Sequence, residues 1–208
     1  TLRVPTTVKQ QERFNRILAA AAQELLDMRD DSTAVDRIAV RSGTSKATIY
    51  RYFGDKVGLE RAMVGWLCDR ARDPLEGVVA RPDAARTTMI AIGDAFASGV
   101  LNRHVMDLHR YVVARASTHP ELGQIFWDAG PKRTYEAAAK LISKLELPDH
   151  LNAVPASQVA ELFINMLTGT VQLSYFCLGE DILRSDDMAA RVRNAVTMLG
   201  IRDHQDQP

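Results

Sequence analysis

The sequence predicts an all-α protein in two parts. One is an N-terminal three-helix domain with a helix-turn-helix, and the other a larger C-terminal helical domain. Three observations predict this. Apolar residues recur at spacings of three and four almost throughout the chain. Strand-type alternation is nearly absent. Between positions 39 and 56, Ala39-Val40-Arg41-Ser42-Gly43-Thr44-Ser45-Lys46-Ala47-Thr48-Ile49-Tyr50-Arg51-Tyr52-Phe53-Gly54-Asp55-Lys56 reads as a short helix, a glycine turn and a second short helix.

The elements follow in order. A first helix spans about 9–28, with Phe14, Ile17, Leu18, Ala21 and Leu25 on one face. Asp30-Asp31-Ser32-Thr33 breaks it, and Ser32 or Thr33 can cap a second helix carrying Val35, Ile38 and Ala39 inward. Gly43 permits the tight turn, and Thr44 or Ser45 caps the third helix, which ends near Phe53-Gly54. Asp55 can cap a fourth helix over about 56–72. Asp73-Pro74 and Arg81-Pro82-Asp83 interrupt the pattern. Further helices are expected at about 83–100, 103–117, 119–128, 131–146, 155–178 and 185–199. The expected domains are 9–56, with helix 56–72 as connector, and 73–203.

The 208 residues carry 26 Lys and Arg against 26 Asp and Glu, so any nucleic-acid-binding field must come from local clustering. Arg37, Arg41, Lys46, Arg51 and Lys56 against Asp55 form such a cluster. Cys68 and Cys177 lie far apart and match neither metal nor redox spacing. No apolar run reaches membrane-spanning length, and Thr1–Thr7 lacks the apolar core of a signal peptide. The expectation is a cytoplasmic protein without a membrane partner.

In a helix-turn-helix the second helix enters the major groove of DNA. Ile38, Ala39, Ile49 and Phe53 can hold the two helices against the first. Ser45, Lys46, Thr48 and Tyr52 are then expected to point outward, with Tyr50 at the edge. Thr48 can reach a base edge or a thymine methyl, and Lys46 a guanine or a phosphate. Tyr50, Tyr52 and Arg51 offer hydroxyls and a guanidinium to the backbone. Lys56, in the first turn of a helix, can hold a phosphate together with free backbone N–H groups.

Arg16-Ile17-Leu18-Ala19-Ala20-Ala21, then Ile38-Ala39, then Gly43 to Lys56 closely resemble the N-terminal domain of TetR-family transcriptional regulators. The resemblance implies that the third helix is the recognition helix. It implies that Lys46, Thr48, Tyr50, Tyr52 and Lys56 occupy positions that commonly contact double-stranded DNA, and that Thr33 occupies a frequent phosphate-contact position. Thr44 stands where the family usually has an apolar residue, and Met28-Arg29-Asp30 where a glycine is common. Residues from about 83 onward resemble the family's effector-binding and dimerisation domain. His119-Pro120-Glu121-Leu122-Gly123-Gln124-Ile125-Phe126 with Ala129-Gly130-Pro131 resembles the AefR-like subgroup.

Helix 155–178 is apolar over most of its circumference, which requires burial on two sides. With the seam on the last helix it suggests a four-helix interface between two copies of the chain, through Leu162, Met166, Leu173, Met188, Val192, Val196 and Leu199. A small, apolar effector is expected among Met89, Phe96, Met106, His109, Tyr111, Trp127, Phe163, Asn165 and Met166, because ligand sites are mainly apolar with few polar groups. Core packing uses the same residue types. No nucleophile elbow, phosphate loop or dinucleotide fingerprint occurs, and His104 and His109 are five apart, unsuited to one metal on a helix face. No catalytic residue, metal or cofactor is expected. The sequence therefore points to a ligand-responsive, homodimeric repressor. The rival reading is a helical small-molecule-binding protein or enzyme with an incidental helix-turn-helix.

Overall fold

The computed structural model describes residues 5–26, 33–179 and 185–202. Among these residues every regular element is helical. The order is α1 (Val8–Leu26), α2 (Ala34–Ser42), α3 (Lys46–Phe53), α4 (Lys56–Glu76), α5 (Ala85–Val100), α6 (Arg103–Arg115), α7 (Pro120–Ala129), α8 (Pro131–Ile142), α9 (Asp149–Asn152), α10 (Ala156–Leu178) and α11 (Ser185–Met198). The expected break at Asp30–Ser32, the departure at Met28–Asp30 and the end of the first helix lie outside the described residues.

The chain divides into two compact units. The first is Thr1–Cys68 with Asp107–Ala129, and the second Asp69–Met106 with Gly130–Pro208. In the first, Ile17, Leu18 and Ala21 of α1 meet Ile38 of α2, Ile49 and Phe53 of α3, and Leu59 and Met63 of α4. Leu108, Tyr111 and Val112 of α6 complete this core. In the second, Met89, Ile92 and Phe96 of α5 pack with Phe163 and Leu167 of α10, Val192 and Val196 of α11, and Ala138 and Ile142 of α8.

Several boundaries differ from the expected ones. Helix α4 does not stop at Asp73 but runs through Pro74 to Glu76. Pro74 forfeits one backbone bond near the end of the helix, while Leu75 anchors the last turn in the second unit's core. The helix expected over 131–146 ends at Ile142, and a separate turn, α9, follows Pro148. Helix α10 is broken by Gly169, whose φ of 26° and ψ of −123° leave the helical region. Only glycine adopts that conformation without strain. The guanidinium of Arg191 on α11 donates to the Met166 carbonyl at 3.3 Å beside the kink.

Candidate nucleic-acid interface

The α2–α3 turn is built by two local devices. Gly43 takes a left-handed φ of 63°, and its N–H and that of Thr44 close α2 onto Val40 and Ala39 carbonyls. Ser45, extended at φ −93° and ψ 154°, then accepts from the Thr48 backbone N–H at 3.2 Å, an N-cap that starts α3. The Ser45 and Thr48 hydroxyls lie 3.0 Å apart. At the other end, Asp55 Oδ1 accepts from Gly58 N–H at 2.7 Å and caps α4.

These devices set which side chains α3 shows. Ser45, Lys46, Tyr50 and Arg51 are exposed, and Thr48 and Lys56 half-buried. Tyr52 corrects the sequence expectation: it is 6 % exposed and does not point outward. Ile49, Tyr52 and Phe53 sit at i, i+3 and i+4, which is one helix face. The Tyr52 ring meets Phe14 edge-on at 5.9 Å between centroids, and Phe53 lies 4.9 Å from the same Phe14.

Thr33 stands at the N-cap position of α2 without capping it, and its hydroxyl instead accepts from Arg37 Nη1 at 2.6 Å. Lys56 Nζ lies 3.9 Å from the buried Glu60 carboxylate.

The basic cluster is more balanced than its sequence window suggests. Glu24 on α1 accepts from Arg37 at 2.7 Å and from Arg41 at 2.6 Å. The Arg37 hydrogen bond is the main cause holding the Glu24 carboxyl below its ordinary range, with burial opposing and Arg41 assisting. Lys46 Nζ pairs with Asp36 of α2 at 2.8 Å to Oδ1, and that hydrogen bond raises the lysine's pKa. Sequence reasoning missed both carboxylates as partners of this site. Asp36 lies one residue before the counted window, and Glu24 lies one helix earlier.

The residues expected to hold an effector divide between the two cores. Met89, Phe96, Met106 and Phe163 are fully packed in the second unit. Tyr111 is buried in the first, where the Arg115 guanidinium lies 4.6 Å from its ring centroid. His109, on the same helix, has its ring 4.9 Å from Phe126, and burial lowers its pKa. Trp127 is exposed. On α10, Met166 is half-buried, and the exposed Asn165 accepts from the Tyr135 hydroxyl at 3.4 Å. Burial raises the Tyr135 pKa, with Glu161 adding to it.

The residues expected at a dimer interface also separate. Leu162 is 56 % and Leu173 63 % exposed, one on each side of the Gly169 kink in α10, and Met166 follows Leu162 by one turn. Leu199 is half-buried. Val192 and Val196, expected at the interface, are instead buried in this chain's own core, whereas Met188 is largely buried but reaches the groove on the far side of α11. A Cβ at Gly93 of α5 would sit 2.6 Å from Val192 Cγ1, so the bare glycine lets α5 and α11 close on each other. The other side of α11 is open. Met166, Val171, Arg191, Asn194 and Met198 line a surface groove of about 510 Å³, and Met198 is 79 % exposed.

Among the described residues no cluster of three metal-binding side chains occurs, and no helix is long and apolar enough to cross a membrane.

Residues 17–63 match the family model described as bacterial regulatory proteins, tetR family. Residues 87–201 match the one described as AefR-like transcriptional repressor, C-terminal domain. No curated protein matches the chain. Among solved structures it is similar to a TetR-family transcriptional regulator from Mesorhizobium loti MAFF303099, at 18 % identity and TM-score 0.79, covering 93 % of this chain and 97 % of that one. It is also similar to the flavonoid-responsive regulator FrrA, at 19 % identity and TM-score 0.69, over 91 % and 95 % of the two chains. A third is a TetR family transcriptional regulator from Pseudomonas syringae pv. tomato DC3000, at 22 % identity and TM-score 0.66, over 91 % and 94 %.

Proposed function

Because the chain belongs to the TetR family of bacterial transcriptional regulators and carries an AefR-like C-terminal domain, we propose that it is a ligand-responsive repressor acting as a homodimer on a near-palindromic operator. The observation that carries this reading is the Ser45-capped α3, which exposes Lys46, Tyr50 and Arg51 beside the α4 N-terminus with Lys56. Side chains of this kind on a short, rigidly seated helix suit base edges and flanking phosphates. Two such helices about 34 Å apart would read half-sites one turn of DNA apart. The exposed Leu162 and Leu173 support pairing of two copies through α10.

The proposed switch is a small apolar molecule entering the C-terminal domain and shifting α4, which contributes Leu59 and Met63 to the first core and Leu75 to the second. A coupling of about 1–3 kcal/mol would lower operator affinity roughly 5- to 150-fold.

Selection of bound sequences from random DNA tests binding, symmetry and spacing together. The expected result is an inverted repeat with half-sites one turn apart. Lys56→Ala should weaken all duplexes alike, whereas Thr48→Ala should alter sequence preference. No enrichment, or variants that bind as the parent does, would remove this reading.

A further inference from the structure

Lys46 opens the recognition helix, yet its ammonium is already held by a carboxylate. Nζ lies 2.8 Å from Asp36 Oδ1 and 3.0 Å from Oδ2. The contact spans the Gly43 turn, from the first turn of α2 to the first residue of α3. Both side chains are exposed. This distinguishes the pair from the Glu24 fork, whose carboxylate is largely sheltered between α1 and α2 and joins them. An exposed pair contributes little to folding and exchanges partners readily.

A phosphodiester brought to the start of α3 competes with Asp36 for the same ammonium. For as long as Asp36 keeps the ammonium, Lys46 neutralises no phosphate. The net positive charge that α3 offers to the duplex is then reduced by about one.

Resting on the reading of α3 as a DNA-binding helix, we propose that Asp36 is an affinity-setting residue: it holds Lys46 in the free protein and restrains binding to duplex DNA of any sequence. The phosphate backbone is the competing ligand. The restraint favours sites where base contacts add to the phosphate term, because phosphate attraction is the larger part of binding to random sequence.

The test uses the full chain and fluorescence anisotropy with a labelled random-sequence duplex over a range of salt concentrations. Asp36→Asn is expected to tighten binding roughly three- to ten-fold and to steepen the slope of log affinity against log salt by about one. Asp36→Glu, which can keep the pair, should stay within about two-fold of the parent. In a Lys46→Met background, Asp36→Asn should change affinity and slope far less. The proposal is overturned if Asp36→Asn does not tighten binding, or if its effect is the same without Lys46. Thermal midpoints of all variants separate these outcomes from unfolding. A parent protein that binds no duplex at low salt defeats the regulator reading itself, whereas a parent that binds and an Asp36→Asn variant that behaves identically defeats only the role of Asp36.

Discussion

Tyr52 and Lys46 lie on one two-turn helix and have opposite fates. The burial of Tyr52 left only an edge signal in the spacing: it flanks the inward face that Ile49 and Phe53 fix, on the side of Ile49 away from Phe53, and the Phe14 ring meets it there. The fate of Lys46 left none, because its partner Asp36 is ten residues away and reaches it only through the geometry of the Gly43 turn. Glu24 was hidden for the same reason, being thirteen residues from Arg37. Its two ion pairs give a pH-dependent prediction. A carboxyl whose folded pKa is depressed contributes stability above its ordinary range, about 4.3, and loses that contribution as pH falls through the lowered value. Glu24→Gln should cost roughly 1–3 kcal/mol at pH 7. Urea unfolding at a series of pH values should show this difference shrinking below about pH 4.3. A difference that stays constant down to pH 3 would show that the charge is not its source.

Helix α4 begins at a corner that leaves no room for a side chain. A Cβ at Gly58 would lie 2.0 Å from the Phe53 carbonyl oxygen, whereas one at Gly65, two turns on, meets nothing within 4 Å. Gly58→Ala should therefore lower stability by roughly 1–3 kcal/mol. Gly65→Ala should raise it by up to about 1 kcal/mol through helix propensity alone. Thermal unfolding of the two variants checks the contrast, and equal midpoints would contradict the tight corner. The existence of the longer helices was legible because an amphipathic face leaves a three-four pattern in the sequence. Continuation through Pro74, the extra turn α9 and the kink at Gly169 were not. Two of the three go with tertiary packing that leaves no local pattern: Leu75, next to Pro74, is buried in the second core, and the Arg191 guanidinium donates to the Met166 carbonyl beside the kink.

For the whole molecule, the all-helical class with its N-terminal helix-turn-helix was legible, while the return of Asp107–Ala129 to the first unit and the assignment of apolar seams were not. Val192 and Leu173 look alike in sequence, and burial alone separates them. Leu162→Glu with Leu173→Glu should leave helical content intact, because both side chains are exposed in the single chain. By the proposed pairing, sedimentation should then report monomers, and operator affinity should fall with the loss of the second half-site. A variant that sediments as the parent does would move the interface elsewhere. Where the apolar residues of α6 would pack was equally unreadable, since Leu108, Tyr111 and Val112 form an ordinary amphipathic row.

The first unit is discontinuous: the chain leaves it after Cys68 and supplies its remaining helices only from Asp107 onward. A growing polypeptide on the ribosome therefore has the whole helix-turn-helix in hand long before it can cover it. Ile17, Ile38 and Leu59 must wait for Leu108, Tyr111 and Val112 before their core is complete. During that interval the nascent chain carries an unfinished oily surface of the sort that chaperones recognise. An isolated fragment ending at Cys68 would lack the Leu108, Tyr111 and Val112 side chains that close this core.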